Sequence, residues 1–181
     1  MKNKKILNMT LIALMAAIIA VCSWITVGIG PVPFTLQTFG IFLALRFLGG
    51  KKGTAAIGIY MLLGAVGLPV FSGFRGGFGH ILGPTGGYIL GFLLSGIVVM
   101  IFEKINKKSV VLRIICDALS LIACYALGTV WFYFTLGVSK GMSIMAVLSA
   151  CVIPFIIPDL IKILLAELIC IKTPKSIKEK T

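Results

Sequence analysis

Acidic residues are scarce in this chain. Its 181 residues include 5 Asp+Glu against 17 Lys+Arg, and charged residues of both signs make up only 12%. Soluble globular domains carry about 25% charged residues, so the composition excludes one. There is a single histidine, His80, and the five cysteines (Cys22, Cys116, Cys124, Cys151, Cys170) form no C-x-x-C pair. That argues against a zinc site and against a disulfide framework. Each cysteine lies in or beside an apolar run, as a small packing residue does. No G-x-x-x-x-G-K-S/T loop is present, so ATP is not used through that motif. A serine or cysteine nucleophile motif is equally missing. Long polar stretches are absent too, which leaves no room for a soluble catalytic domain and predicts one membrane domain over residues 1–181.

What the chain does have is apolar sequence: 59% hydrophobic residues and a mean hydropathy of +1.13. About 20 apolar residues cross a bilayer core as a helix. Six such runs are expected, near 6–27, 34–48, 54–69, 86–102, 110–136 and 143–171, giving an all-α polytopic membrane protein. The first run follows Lys2, Lys4 and Lys5 and exceeds a signal-peptide core, with no A-x-A site after it. It is expected to be retained as a span. Basic residues set the orientation. One side collects Lys2, Lys4, Lys5, Arg46, Lys51, Lys52, Lys104, Lys107, Lys108, Arg113, Lys172, Lys175, Lys178 and Lys180; the other holds only Arg75 and Lys140. Both termini are therefore expected to be cytoplasmic.

Three connectors, 28–33, 70–85 and 137–142, then face outward. The second contains FSGFRGGFGHILGP (71–84), five glycines with Arg75 and His80 among them. Glycines permit close approach, and successive free N–H groups form anion-binding nests. Inside the last run, PFIIPDLIK (154–162) places Asp159 and Lys162 on one helix face. Buried charges in spans usually mark a site, and an ion pair serving packing alone is poor value for stability. Pro154 and Pro158 disturb the helix ahead of them. Asp117 and Glu167 read as structural, with Arg113 and Lys172 as available partners. A second polar cluster, GPVPFTLQTF (30–39), offers Thr35, Gln37 and Thr38, where a helix–helix hydrogen bond and a ligand contact are equally open for Gln37. Ala13, Ala16, Ala17 and Ala20 make two overlapping A-x-x-x-A steps in the first run, suited either to internal packing or to a partner interface. Few polar residues line any run along its length, which disfavours a channel. A membrane-embedded binder of an anionic ligand, open to the outside, is the expectation.

GPVPFTLQTF (30–39), GLPVFSGFRGGFGHILGPTGGYILGF (67–92) and PFIIPDLIK (154–162) resemble the signatures of the BioY family, the biotin-specific S components of energy-coupling-factor (ECF) transporters. The resemblance runs over essentially the whole chain. It implies a six-helix S component in a bacterial plasma membrane, capturing biotin from outside and docking on a transmembrane coupling subunit driven by two cytoplasmic ATPases. The lipid bilayer would be its other partner, with no cofactor and no catalysis. It assigns Ala13, Ala16, Ala17 and Ala20 to docking. Biotin's ureido group would meet Asp159, its carboxylate Arg75 or Lys162, and its apolar body Phe34, Phe71 and Tyr88. Thr35 and Gln37 join this set, and Gly76 and Gly77 let the loop close. Two departures stand out: Phe74 where a small residue is expected, and Ile157-Pro158 where Pro-Gly is expected. The alternatives are an S component for another small carboxylate, such as dethiobiotin, or a membrane enzyme using Arg75 and His80.

Overall fold

The structure, a computed structural model, describes residues 2–28, 32–105 and 109–173. Gly30 and Pro31 of the first outward connector, and Lys107, Lys108, Lys175, Lys178 and Lys180 of the basic segments, lie outside the described residues. Helices dominate, as an apolar chain in lipid requires if every backbone N–H and C=O is to be satisfied internally. In order they are α1 (Lys2–Trp24), α2 (Gln37–Leu48), α3 (Gly50–Ala65), α4 (Phe78–Leu82), α5 (Gly86–Ile105), α6 (Val110–Phe132), α7 (Ile144–Cys151) and α8 (Ile153–Lys172). A π-helical turn, Tyr133–Gly137, extends α6.

One departure from an all-α chain is a small antiparallel ribbon, β1 (Thr26–Val27) on β2 (Phe34–Thr35). It closes the first outward connector, so the second run begins as a strand and turns helical only at Gln37. Four segments are long and apolar enough to cross a membrane: Lys4–Trp24, Gly86–Glu103, Val110–Gly137 and Ile144–Lys172. The helices α2 and α3, with 12 and 16 residues, are shorter. Gly49, at φ 81°, divides them, and α3 both starts and ends four residues earlier than expected. The last run is two helices rather than one. The break is at Val152, with φ −127° and ψ −55°; Pro154 sits in the first turn of α8, and Pro158 lies inside that helix. Proline is tolerated in a first turn because the N–H it lacks has no helical partner there.

Helices α1, α2 and α3 pack on one another, α2 lies on α8, α3 on α5, and α5 on α6. Ile19, Ile41, Leu45, Ile57, Tyr60 and Ile163 form the centre of the core. The α5–α6 pair is close because small residues allow it: a Cβ on Gly91 would stand 2.6 Å from Cys124 Sγ.

Two charged groups differ from expectation. Arg46, grouped above with the cytoplasmic connectors, is buried within α2, its Nε donating to Asp117 Oδ1 at 3.1 Å. Asp117 thus uses neither Arg113 nor Lys172. Arg113 instead pairs with Glu167. The alanine stripe also divides. Ala16 and Ala20 are buried in the chain's own core, whereas Ala13 and Ala17 are exposed. A helix rotates 100° per residue, so a stripe of four alanines is wide enough to serve both sides.

Candidate functional site

One cavity of about 360 Å³ lies between the first connector, the glycine loop, α5, α6 and α8. Small-molecule sites typically occupy ~300–1,000 Å³. Thr35, Gln37, Phe71, Arg75, Tyr88, Asp159 and Lys162 all line it. The charged centre is built on α8. Lys162 Nζ donates to Asp159 Oδ1 at 2.7 Å, as the i,i+3 spacing allows, and to the Thr35 carbonyl at 2.7 Å. The ammonium also stands 4.1 Å above the Phe34 ring. Phe34 is therefore behind the lysine, stacked on Phe155 at 5.9 Å, and the lining of the cavity beside them comes from Phe155. A desolvated cation is stabilised over an aromatic face and by hydrogen bonds to carboxylate and carbonyl.

Tyr125, absent from the sequence expectation, donates its hydroxyl to Asp159 Oδ2 at 2.6 Å. Each carboxylate oxygen thus has one protein donor, yet a carboxylate offers about four lone-pair sites and an ammonium three N–H donors. The pair retains capacity for a ligand with both donors and an acceptor. Tyr125 is hard to find in sequence because a tyrosine inside an apolar run reads as packing. Gln37 donates from Nε2 to the buried Tyr60 hydroxyl at 2.9 Å while its side chain lines the cavity. The interhelical hydrogen bond is thus present, and Gln37 also borders the cavity.

The glycine loop forms the outer wall. Phe71 and Arg75 bond each other's backbones as a one-rung bridge; Phe71 is fully buried and Arg75 lies on the exposed rim. Among the described residues, the three ion pairs are Arg46–Asp117, Arg113–Glu167 and Lys162–Asp159, so Arg75 has no carboxylate partner there. His80 stacks on Phe71, with centroids 5.3 Å apart. Burial first, and the Arg75 charge second, hold the His80 imidazole below its ordinary value of 6.5. Gly76 and Gly77 do not line the cavity. A Cβ on Gly76 would lie 2.2 Å from the Leu68 carbonyl oxygen, and Gly77 has φ +97°. Both glycines shape the loop, and the Gly77 amide donates to the Gly64 carbonyl at 2.7 Å, so it is not free to contribute to an anion-binding nest. Phe74 adopts φ 56°, a left-handed conformation unusual for a bulky residue. Its ring stacks on Trp24 at 5.1 Å, a contact that offsets the backbone cost. Further lining comes from Thr38, Ser72, Phe92, Cys124 and Cys151.

Known proteins share this arrangement of chain. The BioY family model matches residues 1–179. The chain is 41% identical to the biotin transporter BioY of Thermotoga maritima, over 88% of this chain and 90% of that one. It is also 41% identical to the probable biotin transporter BioY of Pyrococcus horikoshii, over 93% and 95%. Among solved structures it resembles the S-component for biotin from an ECF-type ABC transporter, with TM-score 0.82 and 31% identity over 94% and 92% of the two chains. A further S component of a bacterial ECF transporter, at TM-score 0.57 and 21% identity, shares the fold. These names speak for transport and against an outer-face enzyme built on Arg75 and His80. From a family model spanning nearly every residue, together with relatives matched along almost their whole length, it follows that the chain belongs to the BioY family.

Proposed function

We propose that this chain is the substrate-binding S component of an ECF transporter and that it captures biotin in the cavity between the glycine loop and α8. The observation that carries the reading is one cavity with a buried carboxylate–ammonium pair and, on its exposed rim, an arginine without a carboxylate partner among the described residues. Biotin has complementary ends. The ureido N–H groups find acceptor capacity on Asp159, and the ureido carbonyl meets the remaining N–H of Lys162. The ligand carboxylate goes to Arg75, because Lys162 is already committed to Asp159 and the Thr35 carbonyl. Phe71, Tyr88 and Phe155 enclose the apolar bicycle and chain.

In this reading α2 and α3 complete a set of six spans, with α7 and α8 acting as one, in a bacterial plasma membrane. The basic residues Lys4, Lys5, Lys51, Lys52 and Lys172 support cytoplasmic termini in this reading. The face of α1 that carries Ala13 and Ala17 docks on the transmembrane coupling subunit, which two cytoplasmic ATPases drive. The chain itself supplies specificity and no energy.

Titration calorimetry of the purified protein against biotin, dethiobiotin, biotin amide and thiamine tests the assignment. Tight one-to-one binding of biotin, weaker binding of the uncharged amide and none of thiamine are expected. Arg75→Ala should remove the preference for biotin over its amide. Folded protein that ignores biotin overturns the proposal; a preference for dethiobiotin reassigns the ligand within the same site.

A further inference from the structure

The glycine loop that covers the cavity also has an outward surface, and its chemistry is not that of a loop in water. Residues 53–102 contain no Asp, Glu, Asn, Gln or Lys, so Arg75 is the one full charge on that stretch. Meanwhile Val66 is 85% exposed, Phe74 64%, Phe78 63% and Leu82 54%. Phe78 and Leu82 are four apart in α4 and share its outer side.

The two stems of the loop are tied to the ends of two membrane-length helices, and both ties are tryptophans. Trp24, the last residue of α1 and of the Lys4–Trp24 segment, donates its indole N–H to the Pro69 carbonyl at 2.8 Å. Trp131, near the end of the Val110–Gly137 segment, donates to the Gly83 carbonyl at 3.0 Å. Tryptophan at the end of a span sits at headgroup depth, its ring apolar and its N–H satisfied. Both loop stems are thereby tied to the outer parts of these two helices. The apolar surface continues from the loop down the flanks of α1 and α3, through Val21, Ile25 and Leu62, which are likewise exposed.

We infer that the outward face of the loop is a lipid-contacting surface: Val66, Phe74, Phe78 and Leu82 lie in the outer interfacial layer of the bilayer, and the cover of the cavity is a membrane-interfacial element rather than an aqueous lid. The occupant of this patch is lipid, because it is continuous with the helix flanks that any span must present to acyl chains and because no charge interrupts it. Arg75, turned to the cavity rim, is the exception that the inner site requires.

Spin labels test this in the full chain without any ligand, so the result is independent of the biotin assignment. Phe78→Cys, Leu82→Cys and, as an aqueous reference on another connector, Lys140→Cys are labelled in phosphatidylcholine liposomes, with unlabelled-site protein as the blank for the five buried native cysteines. Collision with oxygen should exceed collision with a water-soluble nickel chelate at 78 and 82, and the order should reverse at 140. Nickel-dominated collision at either 78 or 82, matching 140, overturns the inference. All three positions are exposed, so the replacements leave the core intact.

Discussion

Asp159 is held from two sides, by Lys162 and by Tyr125, and the two contacts predict graded effects. Asp159→Asn leaves the buried ammonium without its counter-charge and should weaken biotin binding by about 1–3 kcal/mol. Tyr125→Phe removes one orienting hydroxyl and should cost about 1 kcal/mol. Calorimetry on the two variants checks the order, and a larger loss for Tyr125→Phe would contradict the assignment of Asp159 as the group that meets the ligand. His80 predicts a pH effect. Its imidazole is held below 6.5 in the fold, so the unfolded chain binds more protons than the native one below that value. Stability is therefore complete above about pH 6.5 and is lost as pH falls toward the lower folded value. The thermal midpoint should drop on acidification, and His80→Phe, which keeps the stack on Phe71, should flatten that part of the profile. Asp159 and Lys162 stood out in the sequence because charge in an apolar run is too costly to be incidental, and Arg75 stood out as the one arginine of the glycine loop. Tyr125 did not, since its bond to Asp159 spans 34 positions and leaves no local spacing to read.

At the scale of the element, α1 carries the sharpest test. Ala16 and Ala20 are buried against the chain's own helices, while Ala13 and Ala17 face out. Ala13→Trp or Ala17→Trp should abolish co-purification with the coupling subunit while leaving biotin affinity unchanged. Ala16→Trp or Ala20→Trp should instead destabilise the isolated chain by about 1–3 kcal/mol through overpacking, seen as a lower melting temperature before any partner is added. Spacing alone could not divide the stripe, because a rotation of a few tens of degrees about α1 decides which pair is inside. The same limit applied to the last run. Its two prolines were visible, but the break falls at Val152, where the backbone departs from helical angles ahead of Pro154. The glycine positions were legible as a loop, in which Gly76 is a close-packing position and Gly77 a positive-φ position.

For the whole molecule, Arg46 and Asp117, neither of which lines the cavity, tie α2 to α6, both side chains almost wholly buried. Arg46→Ala strands a carboxylate in the interior and should cost about 3–5 kcal/mol of stability. Replacing both partners with apolar residues, as in Arg46→Met with Asp117→Leu, should recover most of it; melting curves of the single and double variants decide. The pairing escaped the sequence reading because Arg46 stands five residues before Lys51 and so reads as one of the basic residues at a membrane edge. The four long apolar helices were legible from hydropathy, whereas the shortness of α2 became visible only when Phe34 and Thr35 paired with β1. The chain has only two tryptophans, and each is bonded to one stem of the loop over the cavity. Its near-ultraviolet emission is consequently a built-in optical gauge of that loop: any opening that frees an indole N–H should shift the fluorescence, with no label introduced.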